Sequence, residues 1–206
     1  MQEAVAERTI GGYLAALAGE QSAPGGGSAA GVVGALAAAA AEMLASLTRD
    51  PSTSLREAAI QLQELRASAL TSARADEMAY GTYIAAMKLP KETSEEKAAR
   101  KHAMADALEE AARVPLHLAV TAIEILNALK AVIAEGNKTV LGDAETAVVL
   151  AQATVDICVI NVQANLPYIK DETLAAELRE SIEAAHELIV RLAAERRGQI
   201  NERRAS

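Results

Sequence analysis

Three glycines stand in a row at Gly25, Gly26 and Gly27, directly before Ser28 and a run of Ala, Val and Gly that continues to Ala41. Lacking side chains, they expose backbone N–H groups and leave room for a flat ligand. A helix opening at Ser28 as its N-cap would add the partial positive charge of its N-terminus. The same residues fit a tight turn that lets two helices pack closely. A P-loop does not fit, because no lysine follows the glycines. The Gly25-x-Gly27-x-x-Ala30 spacing lacks the preceding strand of a dinucleotide site.

Two other groups carry polar chemistry. Lys88, Lys91, Lys97, Arg100 and Lys101 surround Pro90. They form either a solvated helix start or an anion site whose lysines grip a carboxylate tail. Asn161 and Asn165 are one helical turn apart and share a face. If buried, their amides need partners, either in the protein or on a heteroaromatic ligand. Asn137, Gly142 and Asp143 make a polar loop of turn and cap residues. A metal site is not expected: His102, His117 and His186 are scattered, and none forms H-E-x-x-H. Cys158 is the one cysteine and reads as a small buried hydrophobe. No G-x-S-x-G elbow is present.

The elements that must position these groups are helical. Thr9 can cap a short amphipathic helix carrying Ile10, Tyr13, Leu14 and Leu17 and ending near Gly19. A second helix is expected over 28–48, and Pro51 breaks the chain. Ser54 and Glu57 read as a capping box for a third helix reaching Met87. Thr93 and Glu96 read as another, opening a fourth helix to Glu135 that Pro115 kinks or interrupts. Gly136 stops it. Asp143 can cap a fifth helix reaching Asn165, and Asp171 or Thr173 a sixth running towards Arg197. No strand is predicted. The expected architecture is all-α, an elongated antiparallel bundle of about six helices in a single domain over 1–206.

Composition limits the classes further. Of 206 residues 51% are hydrophobic, yet there is no Phe, no Trp and only four Tyr, so Ala, Leu, Ile and Val must fill the core. A net charge of −8 argues against a nucleic-acid binder held by phosphate contacts. The apolar run Ser28 to Ala41 is 14 residues, short of the roughly 20 that span a bilayer, and Glu42 follows it. No membrane partner is therefore expected. The second helix has no polar face and should be buried all round, which predicts a homodimer. A lone cysteine and a start without a signal-peptide pattern fit a cytoplasmic protein.

Taken in order, "APGGGSAA" (23–30), "SLT" (46–48), "DEMAY" (76–80), "LPKETSEEKAAR" (89–100), "VPL" (114–116), "GNKTVLGDA" (136–144) and "NVQANL" (161–166) resemble the cyclodeaminase/cyclohydrolase family of folate enzymes. Family members usually carry Asn where Ser46 stands and Phe where Tyr80 stands. The resemblance implies an all-α dimer acting on one-carbon groups of tetrahydrofolate, with no cofactor beyond that substrate. Gly25, Gly26, Gly27 and Ser28 would line the folate cleft.

Two reactions fit. A cyclohydrolase adds water to the methenyl carbon bridging N5 and N10, giving 10-formyltetrahydrofolate. A cyclodeaminase closes N10 onto an N5-formimino carbon and expels ammonia. Either needs a carboxylate to take a proton and face the cationic amidinium, for which Asp143 and Asp76 are the candidates. Lys88 and Lys91 are the candidates for proton delivery or for holding the glutamate tail. Asn137, Asn161 and Asn165 are expected on the pterin edge. A non-catalytic folate-binding or scaffold bundle would explain the helices but not the motifs in the loops.

Overall fold

The computed structural model describes residues 4–206. Six helices carry the chain: α1 (Ile10–Leu17), α2 (Gly26–Ser46), α3 (Thr53–Met87), α4 (Ser94–Glu135), α5 (Leu141–Asn165) and α6 (Glu172–Ala205). Single 3₁₀ turns lie at Val5–Glu7, Lys138–Val140 and Leu166–Tyr168, and no strand occurs among the described residues. The all-α expectation holds.

Most helix ends follow their caps. The Thr9 side chain accepts from Gly12 N, and Asp171 accepts from Thr173 N and Leu174 N. Thr93 and Glu96 form a complete capping box. Three expected starts were misplaced. The third helix is capped by Ser52, which accepts from Leu55 N, and not by Ser54. The fifth opens at Leu141, so Asp143 sits inside its first turn instead of capping it. The second opens at Gly26 with Gly25 at its N-cap, which has no side chain to offer. Ser28 is therefore not a cap. Its hydroxyl is turned to a buried carboxylate described below. Pro115 lies inside α4, which continues through it unbroken.

α2 runs through the middle of the bundle, packed on α3 and α5 and more lightly on α4. Small side chains make this possible. Gly31 faces Ala69 O and Ala73 so closely that an added Cβ would stand 2.7 Å from both. Gly34 lies against Thr154, Ala69 and Leu118. The core around it is Ala, Leu, Ile and Val, with Leu44, Leu126, Leu129 and Ile189 fully enclosed. Cys158 is buried among them, as expected.

α2 is not buried all round. Leu36, Met43 and Leu47 share one face and are 53%, 46% and 45% exposed. On α5, Val149 and Ile160 form a second exposed apolar stripe. The expected length limit against a membrane span also fails. α2 runs 21 residues, and windows in α2, α4 and the 138–168 segment reach a mean hydropathy of 1.6. More than half of the first two windows is covered by other helices.

Candidate active-site cleft at the start of the second helix

α2 and α5 are antiparallel, so the start of α2 meets the end of α5. Gly26 faces the Asn161 amide, where an added Cβ would lie 3.5 Å from Oδ1. α3 brings Asp76 to the same point. The result is a cleft of about 220 Å³ lined by the 22–27 turn, Asp76, Tyr80, Ala111, Asn161, Ala164 and Asn165.

Asp76 supplies the cap that Gly25 cannot. Its Oδ2 accepts from Ser28 N at 2.9 Å, so a carboxylate from α3 closes the first turn of α2. This favours the ionised form, as does the helix N-terminus. Gly27 makes the approach possible: a Cβ there would run into Asp76 Oδ1 and Cγ. The glycine run thus answers a steric demand at the acid. Burial pushes the Asp76 pKa above the ordinary Asp value; the Ser28 N–H opposes that rise and the charge of Glu77 adds to it. A carboxyl raised in this way is a better proton acceptor near neutral pH than an exposed aspartate.

The asparagines leave their carbonyl oxygens for a ligand. Asn161 Nδ2 donates to Ile157 O at 2.8 Å and Asn165 Nδ2 to Asn161 O at 3.1 Å, both one turn back. Each amide is thereby fixed, with Oδ1 as the remaining acceptor. Pro115 has no N–H to give the Ala111 carbonyl one turn earlier, which leaves that acceptor at the cleft wall without its helical partner.

The structure brings together Gly25, Gly26, Gly27, Asp76, Asn161 and Asn165. It does not bring in the other predicted site residues. Ser28 is fully buried behind the glycines. Lys88 and Lys91 are exposed at the α3–α4 turn, and Lys88 lies about 18 Å along α3 from Asp76 at 1.5 Å per residue. Asp143 is half-buried at the other end of α5, about 27 Å along the helix from Asn161. Asn137 is at that far end too. Its N–H donates to Thr48 Oγ1 at 3.1 Å, and its Oδ1 accepts from Thr139 N and Thr139 Oγ1. That side chain closes a turn and does not face the glycine cleft. His102, His117 and His186 are dispersed over α4 and α6.

Behind the cleft lie three residues that were not site candidates in the sequence: Glu77, which stands in the 76–80 motif, Arg8 and Tyr13. Glu77 is 7% exposed, and Arg8 holds it with Nη1 at 3.0 Å from Oε1 and Nη2 at 2.7 Å from Oε2. Ser28 Oγ donates to Glu77 Oε1 at 3.0 Å, and Tyr13 OH lies 3.0 Å from Ser28 Oγ. Two adjacent acids, Asp76 and Glu77, look alike in sequence. A helical step of about 100° sends one into the cleft and the other into the interior.

Comparison with known proteins places the chain in a family. The family model described as formiminotransferase-cyclodeaminase matches residues 9–184. The chain belongs to that family. It is 34% identical over 182 residues to the methenyltetrahydrofolate cyclohydrolase of Methylorubrum extorquens, covering 85% of this chain and 87% of the relative. It is 30% identical over 181 residues to the formimidoyltransferase-cyclodeaminase of Gallus gallus, covering 85% of this chain but 34% of that protein. The chain therefore spans about a third of such bifunctional relatives. The crystal structure of formiminotetrahydrofolate cyclodeaminase from Thermotoga maritima superposes with a TM-score of 0.83 at 25% identity, covering 96% of this chain and 98% of that one.

Proposed function

We propose that this family member hydrolyses 5,10-methenyltetrahydrofolate to 10-formyltetrahydrofolate, with Asp76 as the general base. The carrying observation is the Asp76 carboxylate, held at the glycine-lined start of α2 with its pKa raised. The single-domain cyclohydrolase relative, matched over 87% of its length, favours this reaction.

In this reading the pterin enters between the glycine turn and the two asparagines, whose Oδ1 atoms accept from its N–H groups. The cationic N5–C–N10 bridge faces Asp76, and opposite charges at short range stabilise the complex. Asp76 takes one proton from an incoming water as the hydroxyl adds to the methenyl carbon. The neutral carbinolamine then collapses: the C–N5 bond breaks, N5 receives a proton from Asp76, and the carbinol hydroxyl loses its own to solvent as the formyl C=O forms. One water is consumed and one proton released, with no cofactor beyond the substrate. Lys88 and Lys91, beyond the cleft at the α3–α4 tip, would in this reading take the anionic glutamate tail and not serve the reacting carbon.

A homodimer belongs to this reading. The family motifs fall at two ends of α2: Gly25–Gly27 at one, and Thr48 with the Asn137–Asp143 turn at the other. Leu36 lies midway between Gly26 and Ser46 on the exposed face. A two-fold axis near Leu36 would lay the partner's far end on the cleft and cover the Leu36–Met43–Leu47 stripe, so that Asp143 would come from the second subunit.

The cyclodeaminase named for the Thermotoga maritima structure is the second reading, since the two chains match over nearly their full lengths. The test is to give the protein each substrate in turn. Accelerated loss of the methenyl absorbance band supports hydrolysis. Growth of that band from 5-formiminotetrahydrofolate, without accelerated loss, supports deamination. No effect on either refutes both.

A further inference from the structure

The Arg8–Glu77–Ser28–Tyr13 cluster takes no part in the reaction just described, yet three of its members are buried and it lies directly behind Asp76. Its connectivity is directional. Glu77 Oε1 accepts the single hydroxyl proton of Ser28, so Tyr13 OH must be the donor to Ser28 Oγ. Ser28 is thus held by its side chain, while its N–H holds Asp76 Oδ2. Arg8 and Tyr13 come from the segment before α2. Val5 and Tyr13 pack with Ala73 on α3, away from the main core.

We propose that the N-terminal segment Val5–Leu17 is a positioning strap for the catalytic acid, acting through the Arg8–Glu77 pair and Ser28. The inference rests on the reading of Asp76 as the base. Glu77 anchors Ser28, and Arg8 balances the negative charge that Glu77 places next to Asp76. Among the described residues, the charged and titratable groups around Asp76 are few, and Tyr80 on α3 shares the cleft lining with it. Glu77 adjoins it on α3, Tyr13 and Arg8 approach from the N-terminal segment, and Cys158 lies beneath it on α5. α4 contributes Ala111 to the cleft. Changing Arg8 or Glu77 therefore changes the field at Asp76 with opposite signs.

The test is the pH profile of kcat/KM for Arg8→Gln, Glu77→Gln and the double variant, with Asp76→Asn alongside. Arg8→Gln leaves Glu77 uncompensated and moves the acid limb to higher pH, with a loss of rate at a fixed pH on that limb. Glu77→Gln moves the limb to lower pH. The double variant returns it towards the parent position. Tyr13→Phe removes only a donor hydroxyl and lowers kcat with KM unchanged. That variant also reads the strap if a charge variant does not fold. Loss of rate with an unmoved limb in all folded variants, or limb shifts of one sign in both single variants, would overturn the proposal. Full activity of Asp76→Asn would instead sink the base assignment, and the two failures are separately visible.

Discussion

Gly27→Ala isolates the steric requirement at the acid. The new Cβ would overlap Asp76 Oδ1 and Cγ and stand 2.9 Å from Oδ2. No backbone atom is among these close neighbours, so the helices can stay where they are and the carboxylate must turn away. Overpacking costs about 1–3 kcal/mol, and Ala in place of Gly returns up to about 1 kcal/mol of helix propensity. The net loss is about 0–3 kcal/mol, a fall in Tm of at most about 12 °C for a domain of this size. The chemical cost is larger, because a displaced acid loses both its Ser28 anchor and its aim. General-base catalysis contributes about 10²–10⁴-fold, so kcat should fall by about 100-fold or more. Steady-state kinetics at saturating substrate, beside thermal unfolding of the same sample, reads both numbers. Near-normal kcat in a folded Gly27→Ala protein would refute the reasoning.

Other outcomes follow from the same packing. Gly31→Ala should behave oppositely: its Cβ meets Ala69 O and Ala73 N at 2.7 Å, so α2 and α3 must separate and Tm falls along with activity. Asp76→Asn should raise Tm at pH 7. The folded-state pKa of Asp76 is raised, so its favourable contribution is complete below the unfolded value of about 3.9 and is lost as pH rises through the folded value; the advantage of Asn should vanish towards pH 3.5. Cys158, fully buried with its thiol pushed up to about 12, should resist alkylation at pH 8 until the protein is denatured. Leu36→Glu should give monomers by sedimentation. Mixed Asp76→Asn and Asp143→Asn subunits should recover roughly a quarter of parental activity if each site draws one acid from each chain.

Much of the fold was legible because local chemistry dictates it. Thr9, Thr93 with Glu96, and Asp171 announced their helices, and Gly136 bounded the fourth. Ser28 misled because a serine before an apolar run is a good cap by type, whereas its hydroxyl here is committed to Glu77. The cap came from Asp76, 48 residues away, which no local pattern encodes. Asp76 and Asp143 were equal candidates in sequence. They separate once α2 and α5 are known to be antiparallel, which puts Gly26 beside Asn161 and leaves Asp143 at the far end. Glu77 stands in the 76–80 motif, but its pairing with Arg8 was invisible, since a salt bridge spanning 69 residues depends on the packing of the first turn against α3.

The most direct test is the rate at which purified Asp76→Asn protein consumes the methenyltetrahydrofolate absorbance band, against the parent protein at equal concentration. With Asp76 as the base, loss is rapid with the parent and proceeds close to the uncatalysed rate with the variant. Loss at the parental rate with Asp76→Asn would contradict it and move the base elsewhere.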